Sequence, residues 1–160
     1  MATAEAAFGA GCFWGVELTI RQIDGVQDAA VGYMGGSTED PSYEQVCTGA
    51  TGHAEVVHLT FDPEAVDYEA LVRAFFEMHD PTTLNRQGPD RGTQYRSVVF
   101  CYDADHRATV EKVIAELTDR GAFNDPIVTQ VEDAAPYTFH RAEEYHQQYL
   151  AKRGMGTCHV

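Results

Sequence analysis

At 160 residues, 44% of them apolar and 22% charged, the chain can fold as one domain around its own core without disulfide staples. A formal net charge of −14 with no basic cluster excludes a nucleic-acid phosphate backbone as partner. No run approaches the roughly 18 apolar residues of a membrane span. The start, Met1-Ala2-Thr3-Ala4-Glu5, has neither a basic region nor a signal-length apolar stretch, so a cytoplasmic location is expected.

In chain order, Ala6 to Gly9 reads as a short apolar strand. Gly11-Cys12-Phe13-Trp14-Gly15 follows and leads into a helix, with Val16, Ile20 and Ile23 spaced i, i+4, i+7 and Gly25 as its stop. Cys12 is thus expected at a strand-to-helix turn. The free N–H groups of a helix start favour an anion and lower a thiol's pKa toward the thiolate. Phe13 and Trp14, the single tryptophan, offer an apolar wall for something small. Val26 to Tyr33 reads as a second strand, then come a Gly/Ser/Pro-rich loop from Gly35 to Ser42, a short segment Tyr43–Cys47 and a strand from Ala54 to Asp62.

Residues 67–79 give the cleanest helix, with Tyr68, Leu71, Val72, Phe75, Phe76 and His79 on one stripe and Asp67 as N-cap. Asp80 to Gln94 shows no periodicity and contains Pro81, Gly88, Pro89 and Gly92. Irregular loops of that length are usually functional. A strand is expected over Arg96–Tyr102, a helix over Asp105–Asp119, a short strand over Ile127–Glu132 and a polar helix over Phe139–Arg153, before a glycine-rich tail, 154–160, expected to be mobile. This irregular alternation suits an α+β domain with helices packed against a mixed sheet.

Glu55 stands out by parity. It shares a strand face with Val57, Leu59 and Phe61, the expected core face, whereas Val56, His58 and Thr60 point the other way. A carboxyl there is either salt-bridged or desolvated, and desolvation favours the neutral form that can donate a proton. Tyr43, Tyr95 and Asp90 lie in or beside irregular segments, where packing and turn formation account for such residues as readily as function does. His53 and His58 read as structural. The four cysteines lack CxxC or Cys/His ligand spacing, which argues against a metal site. Cys47 and Cys101 read as inert. Cys158, on a glycine-hinged tail, could meet an oxidised Cys12 as a resolving thiol.

These blocks, in order, resemble the A-type peptide methionine sulfoxide reductases over nearly the whole chain. The resemblance rests on Gly11-Cys12-Phe13-Trp14-Gly15, Val31-Gly32-Tyr33, Tyr43-Glu44-Gln45-Val46-Cys47-Thr48-Gly49 and Thr51-Gly52-His53-Ala54-Glu55. It continues through His79-Asp80-Pro81-Thr82-Thr83, Gln87-Gly88-Pro89-Asp90, Gly92-Thr93-Gln94-Tyr95-Arg96-Ser97 and Ala142-Glu143-Glu144-Tyr145-His146-Gln147. It implies a single domain, 1–160, folded as a two-layer α/β sandwich with a ferredoxin-like core. It further implies Cys12 as nucleophile, Glu55 as acid, Tyr43 and Tyr95 on the sulfoxide oxygen, Asp90 in support, and Phe13 and Trp14 around the substrate methyl. The implied reaction reduces methionine S-sulfoxide, free or in proteins, through a Cys12 sulfenic acid and a Cys12–Cys158 disulfide. No cofactor or metal is implied; thioredoxin or another dithiol is the reductant, and the protein is expected to be a monomer. Met34, Arg91 and the single tail cysteine depart from the common family pattern. A cysteine hydrolase with a histidine base, or a redox-sensing or methionine-binding module, are the rival readings.

Overall fold

A computed structural model describes residues 3–11, 13–39, 41–49, 51–87, 90–143 and 146–147, with Phe13 described by its backbone only. Cys12, Cys158 and the tail 154–160 lie outside the described residues.

Strand β1 (Ala4–Ala10) runs into helix α1 (Phe13–Arg21), then β2 (Val26–Met34), the short helix α2 (Tyr43–Cys47) and β3 (Ala54–Phe61). Helix α3 (Tyr68–Glu77) leads to a small hairpin, β4 (Arg86–Gln87) and β5 (Asp90–Arg91), followed by a 3-10 turn at Thr93–Tyr95. Strand β6 (Ser97–Cys101), helix α4 (Ala104–Asp119), β7 (Gln130–Asp133) and β8 (His140–Arg141) complete it.

The main sheet has six strands in the order β7-β6-β1-β3-β2-β8. Among the described residues only its β6–β7 pair is parallel. Its inner four strands, with α1 and α3 as the connections, follow the β-α-β-β-α-β path of the ferredoxin-like fold. Sequence dictates most of this locally. Asp67 and Asp103 cap α3 and α4 by accepting the N–H groups of Ala70 at 2.7 Å and His106 at 2.8 Å. Ser42 and Gln45 close a reciprocal capping box on α2. Gly25 turns the chain out of α1 at φ +98, and a Cβ there would collide with Val66.

Helices α1, α3 and α4 cover one sheet face. Val16, Ile20, Leu71, Val72, Phe75, Val110 and Val113 bury against Phe8, Val31, Val57 and Leu59 there. The other face carries a smaller core of Ala7, Met34, Val56, Val98 and Phe100, covered by Tyr137 and Phe139. Met34 is therefore a packing residue of this back face, and Arg91 is exposed on β5.

Two expectations need correction. The final segment does not open as a helix at Phe139. His140–Arg141 pair antiparallel with Gly32–Tyr33 as β8, and the described residues from there to Gln147 contain no α-helix. Gly32 explains the docking, because any Cβ at that position would strike the His140 carbonyl and the Phe139 ring. The last strand of the sheet's parallel edge starts at Gln130, not Ile127, since Val128 donates its N–H to the Pro81 carbonyl at 2.8 Å instead of joining β6. The stretch from Asp80 to Gln94 is also more ordered than its composition suggests. Asp80 accepts from Thr82, and the Gln87 amide clamps the Asp80 backbone on both sides, which shapes the β4–β5 hairpin.

Candidate active site

Glu55 lies one residue into β3, where it is 2% exposed and directly opposite Tyr33 of β2. Its side chain takes the helix-covered face with Val57, Leu59 and Phe61, as parity requires. β1 ends beside it at Ala10, which pairs with Ser97, and Gly11 then adopts φ +95 before α1 begins at Phe13. A non-glycine residue would be strained there. The described chain thus passes from strand to helix between Gly11 and Phe13.

Tyr43 opens α2, and Tyr95 closes the 3-10 turn; both flank the Glu55 end of the sheet. Burial, contact with the Cys47 thiol and the negative charge of Glu55 push the Tyr43 phenol far above its ordinary value. Burial, with the charges of Glu55 and Asp90, pushes Tyr95 up to about 12. A hydrogen-bonding contribution from Tyr43 offsets part of the rise at Tyr95. Both hydroxyls are therefore fully protonated near neutral pH and available as donors. Asp90, half-buried on β5, acts on the cluster electrostatically through Tyr95.

Trp14 sits in the first turn of α1, where its indole N–H donates to His146 Nδ1 at 2.9 Å. The His146 ring stacks on Trp14 at 5.6 Å and leans on Tyr43 at 4.7 Å. His146 is 1% exposed, and burial lowers its pKa, which keeps the ring neutral and Nδ1 able to accept. Glu143 ties the wall together by accepting from the Tyr33 hydroxyl at 3.0 Å and the Tyr43 N–H at 3.2 Å. Burial pulls its pKa up, but the hydrogen bonds it receives prevail and hold it below the usual carboxylate value.

The structure thus brings Glu55, Tyr43, Tyr95, Asp90 and Trp14 together. It also gathers Cys47, Gln94, Glu143 and His146, which residue-by-residue reasoning left out. Cys47 lies one helical turn from Tyr43 on α2 and contacts both Tyr43 and Gln94; burial raises its thiol pKa. Its helical spacing from Tyr43 was the available signal. For Glu143 and His146 the only signal was their place in a recognisable block, because an assumed helix hid which side each one faces. Cys101 lies elsewhere, buried at the end of β6, with its thiol pushed up to about 11 by burial. His53 is structural: it accepts from Gly36 N–H and donates to the Thr38 carbonyl at 2.6 Å. Among the described residues no cluster of three His, Cys, Asp or Glu could hold a metal ion, and no helix is long and apolar enough to cross a membrane.

A ferredoxin-like sheet with a buried carboxyl and two protonated phenols gathered at one end defines an α+β enzyme, one that can direct protons and hydrogen bonds at a small substrate. The sequence model of the family described as peptide methionine sulfoxide reductase matches residues 4–160. The peptide methionine sulfoxide reductase MsrA of Acidobacterium capsulatum is 57% identical, over 98% of this chain and 99% of that protein. The crystal structure of reduced Mxr1 from Saccharomyces cerevisiae superposes with a TM-score of 0.89 at 36% identity, covering 98% of this chain and 88% of Mxr1. Mxr1 in complex with Trx2 shares the fold at a TM-score of 0.63 and 23% identity, covering 92% and 84% of the two chains. The chain belongs to the peptide methionine sulfoxide reductases of the MsrA type and is an oxidoreductase.

Proposed function

We propose that this enzyme reduces the S epimer of methionine sulfoxide, free or within proteins, by thiol chemistry at Cys12. The thiolate attacks the sulfoxide sulfur while Glu55 gives its proton to the oxygen. Tyr43 and Tyr95 donate hydrogen bonds to that oxygen as the substrate's S–O bond breaks. The oxygen ends on Cys12 as a sulfenic acid, and methionine leaves reduced by two electrons. The Cys158 thiol then attacks the sulfenic sulfur, releasing water and forming a Cys12–Cys158 disulfide. A thioredoxin dithiol reduces that bond by two exchanges and is itself oxidised to a disulfide. Asp90 supports Tyr95, and Phe13 and Trp14 hold the substrate methyl.

The observation that carries this reading is a buried Glu55 close enough to Tyr43 and Tyr95 to act on both electrostatically, at the end of the sheet where β1 gives way to α1. Burial favours a carboxyl's neutral form, the form a proton donor needs. The yeast relative Mxr1 has been solved with Trx2, which supports a thioredoxin as reductant. We further propose that the chain acts as a single-domain monomer of the cytoplasm, with the tail 154–160 delivering Cys158.

The test is a coupled count of thiols and methionine in the first turnover without reductant. Two thiols lost per methionine released is the expected result for the S epimer. Cys158→Ser should release one methionine and then fail to turn over with thioredoxin. Turnover in Cys12→Ser would overturn the mechanism. An acyl-enzyme formed from an ester would favour a hydrolase, and Cys12 oxidation without methionine release a sensor.

A further inference from the structure

Immediately behind the Tyr95 wall, on the opposite face of the sheet, is a groove of about 360 Å³ lined in part by Gly35, Gly49, Gly52, Thr93, Arg96 and Tyr137. Two short stretches of chain link its lining to the candidate site. Thr93 begins the 3-10 turn that Tyr95 ends, and Gly49 follows Cys47 by two residues. Gly35, Gly49 and Gly52 take φ values of +94, +77 and +74, so one rim presents main chain without side chains. Phe100 and Tyr137, packed edge to face at 5.7 Å, give the groove an apolar floor.

Arg96 is fixed in this groove by two of its three nitrogens. Nε donates to Gln130 Oε1 at 3.1 Å, and Nη1 donates to the Thr93 carbonyl at 3.0 Å. Nη2 makes no hydrogen bond among the described residues and lies over Gly35, where a Cβ would come within 2.9 Å of it. Glu132 also lines the groove and supplies a carboxylate acceptor. Arg96 Nη2 and the Glu132 carboxylate thus offer an oriented donor and an acceptor beside the Phe100–Tyr137 pair.

We propose that this groove holds the extended main chain of a polypeptide substrate flanking its methionine sulfoxide, with a substrate carbonyl on Arg96 Nη2 and an N–H on Glu132. The inference rests on the reductase reading above and adds a subsite to it. Main chain is the favoured occupant over an acidic side chain, because Glu132 offsets the guanidinium and the protein carries a net charge of −14. Amide groups of an extended strand match a fixed donor and acceptor whatever the sequence. Free methionine sulfoxide carries no flanking residues to place there.

The experiment compares kcat/KM for a pentapeptide with a central methionine S-sulfoxide and for the free amino acid, on the full chain. Arg96→Met removes the donor, and Glu132→Trp fills the groove from the edge strand. In each variant the peptide-to-free ratio should fall about tenfold, the worth of one lost hydrogen bond to a charged group, and the loss should reside in KM. A ratio unchanged in either variant overturns the proposal, whatever the general level of activity. Absence of both activities in the native protein would instead remove the underlying reductase reading, and the subsite with it.

Discussion

Replacing Glu55 by Gln separates chemistry from packing with one heteroatom. The side chain is 2% exposed in a closed sheet face, so an isosteric amide keeps the volume and leaves no cavity. It can still donate a hydrogen bond, but it has no proton to transfer. Loss of a positioned general acid costs about 10² to 10⁴ in rate, or about 2.7 to 5.4 kcal/mol of barrier. The two phenols remain to stabilise the oxygen, so some activity should survive. Rapid-quench single turnover, counting methionine against time, is the assay. The residual rate should rise about tenfold for each unit drop in pH, because solvent must now supply the proton. The same substitution removes a carboxylate that, once ionised at alkaline pH, raises the phenols, so the Tyr95 pKa should be lower than in the native protein in an ultraviolet titration. A single-turnover rate within threefold of native, with Tyr95 shifted as expected, would refute Glu55 as the donor while confirming where it sits.

The remaining expectations address the site wall, the sheet edge and pH. His146→Ala removes the acceptor of the half-buried Trp14 indole, which costs about 1 kcal/mol, so KM for methionine sulfoxide should rise several-fold and the emission of the single tryptophan should shift; unchanged emission would contradict the 2.9 Å bond. Gln147→Ala orphans the buried Val31 N–H, which donates to the Gln147 amide at 2.9 Å, while the Val31 carbonyl keeps the Ala142 N–H at 3.0 Å; stability should fall by about 1–3 kcal/mol, read as a drop in Tm. Gly32→Ala should displace β8, Glu143 and Tyr43 together, costing activity as well as stability; a variant with native kcat/KM would sink the close-approach argument. Burial lowers the pKa of His53, His106 and His146 in the folded state. Below pH ~6.5 the unfolded chain therefore binds more protons than the native one, and stability falls as pH drops, by at most about 1.4 kcal/mol per group and pH unit. A Tm that stays flat from pH 7.5 to 5.5 would contradict that sign.

Much of this was legible in sequence because it is written in short-range chemistry. Period-2 alternation put Glu55 on the face shared with Val57 and Leu59, and that depends only on strand geometry. Apolar spacing and an Asp cap delimited α3, since both act within a few residues. The ordering of the sheet, the gathering of Tyr43, Tyr95 and Asp90 around Glu55, and the parts played by Glu143 and His146 were decided only by tertiary structure. Phe139 to Gln147 has helix-compatible composition, yet Gly32 leaves room for a strand there and Gln147 satisfies Val31 as another strand would. Contacts formed across more than 100 residues, such as Trp14 with His146 and Tyr33 with Glu143, leave no periodic trace in the chain. Local propensity is a weak preference, and the burial of backbone groups and rings brought together by the fold outweighs it.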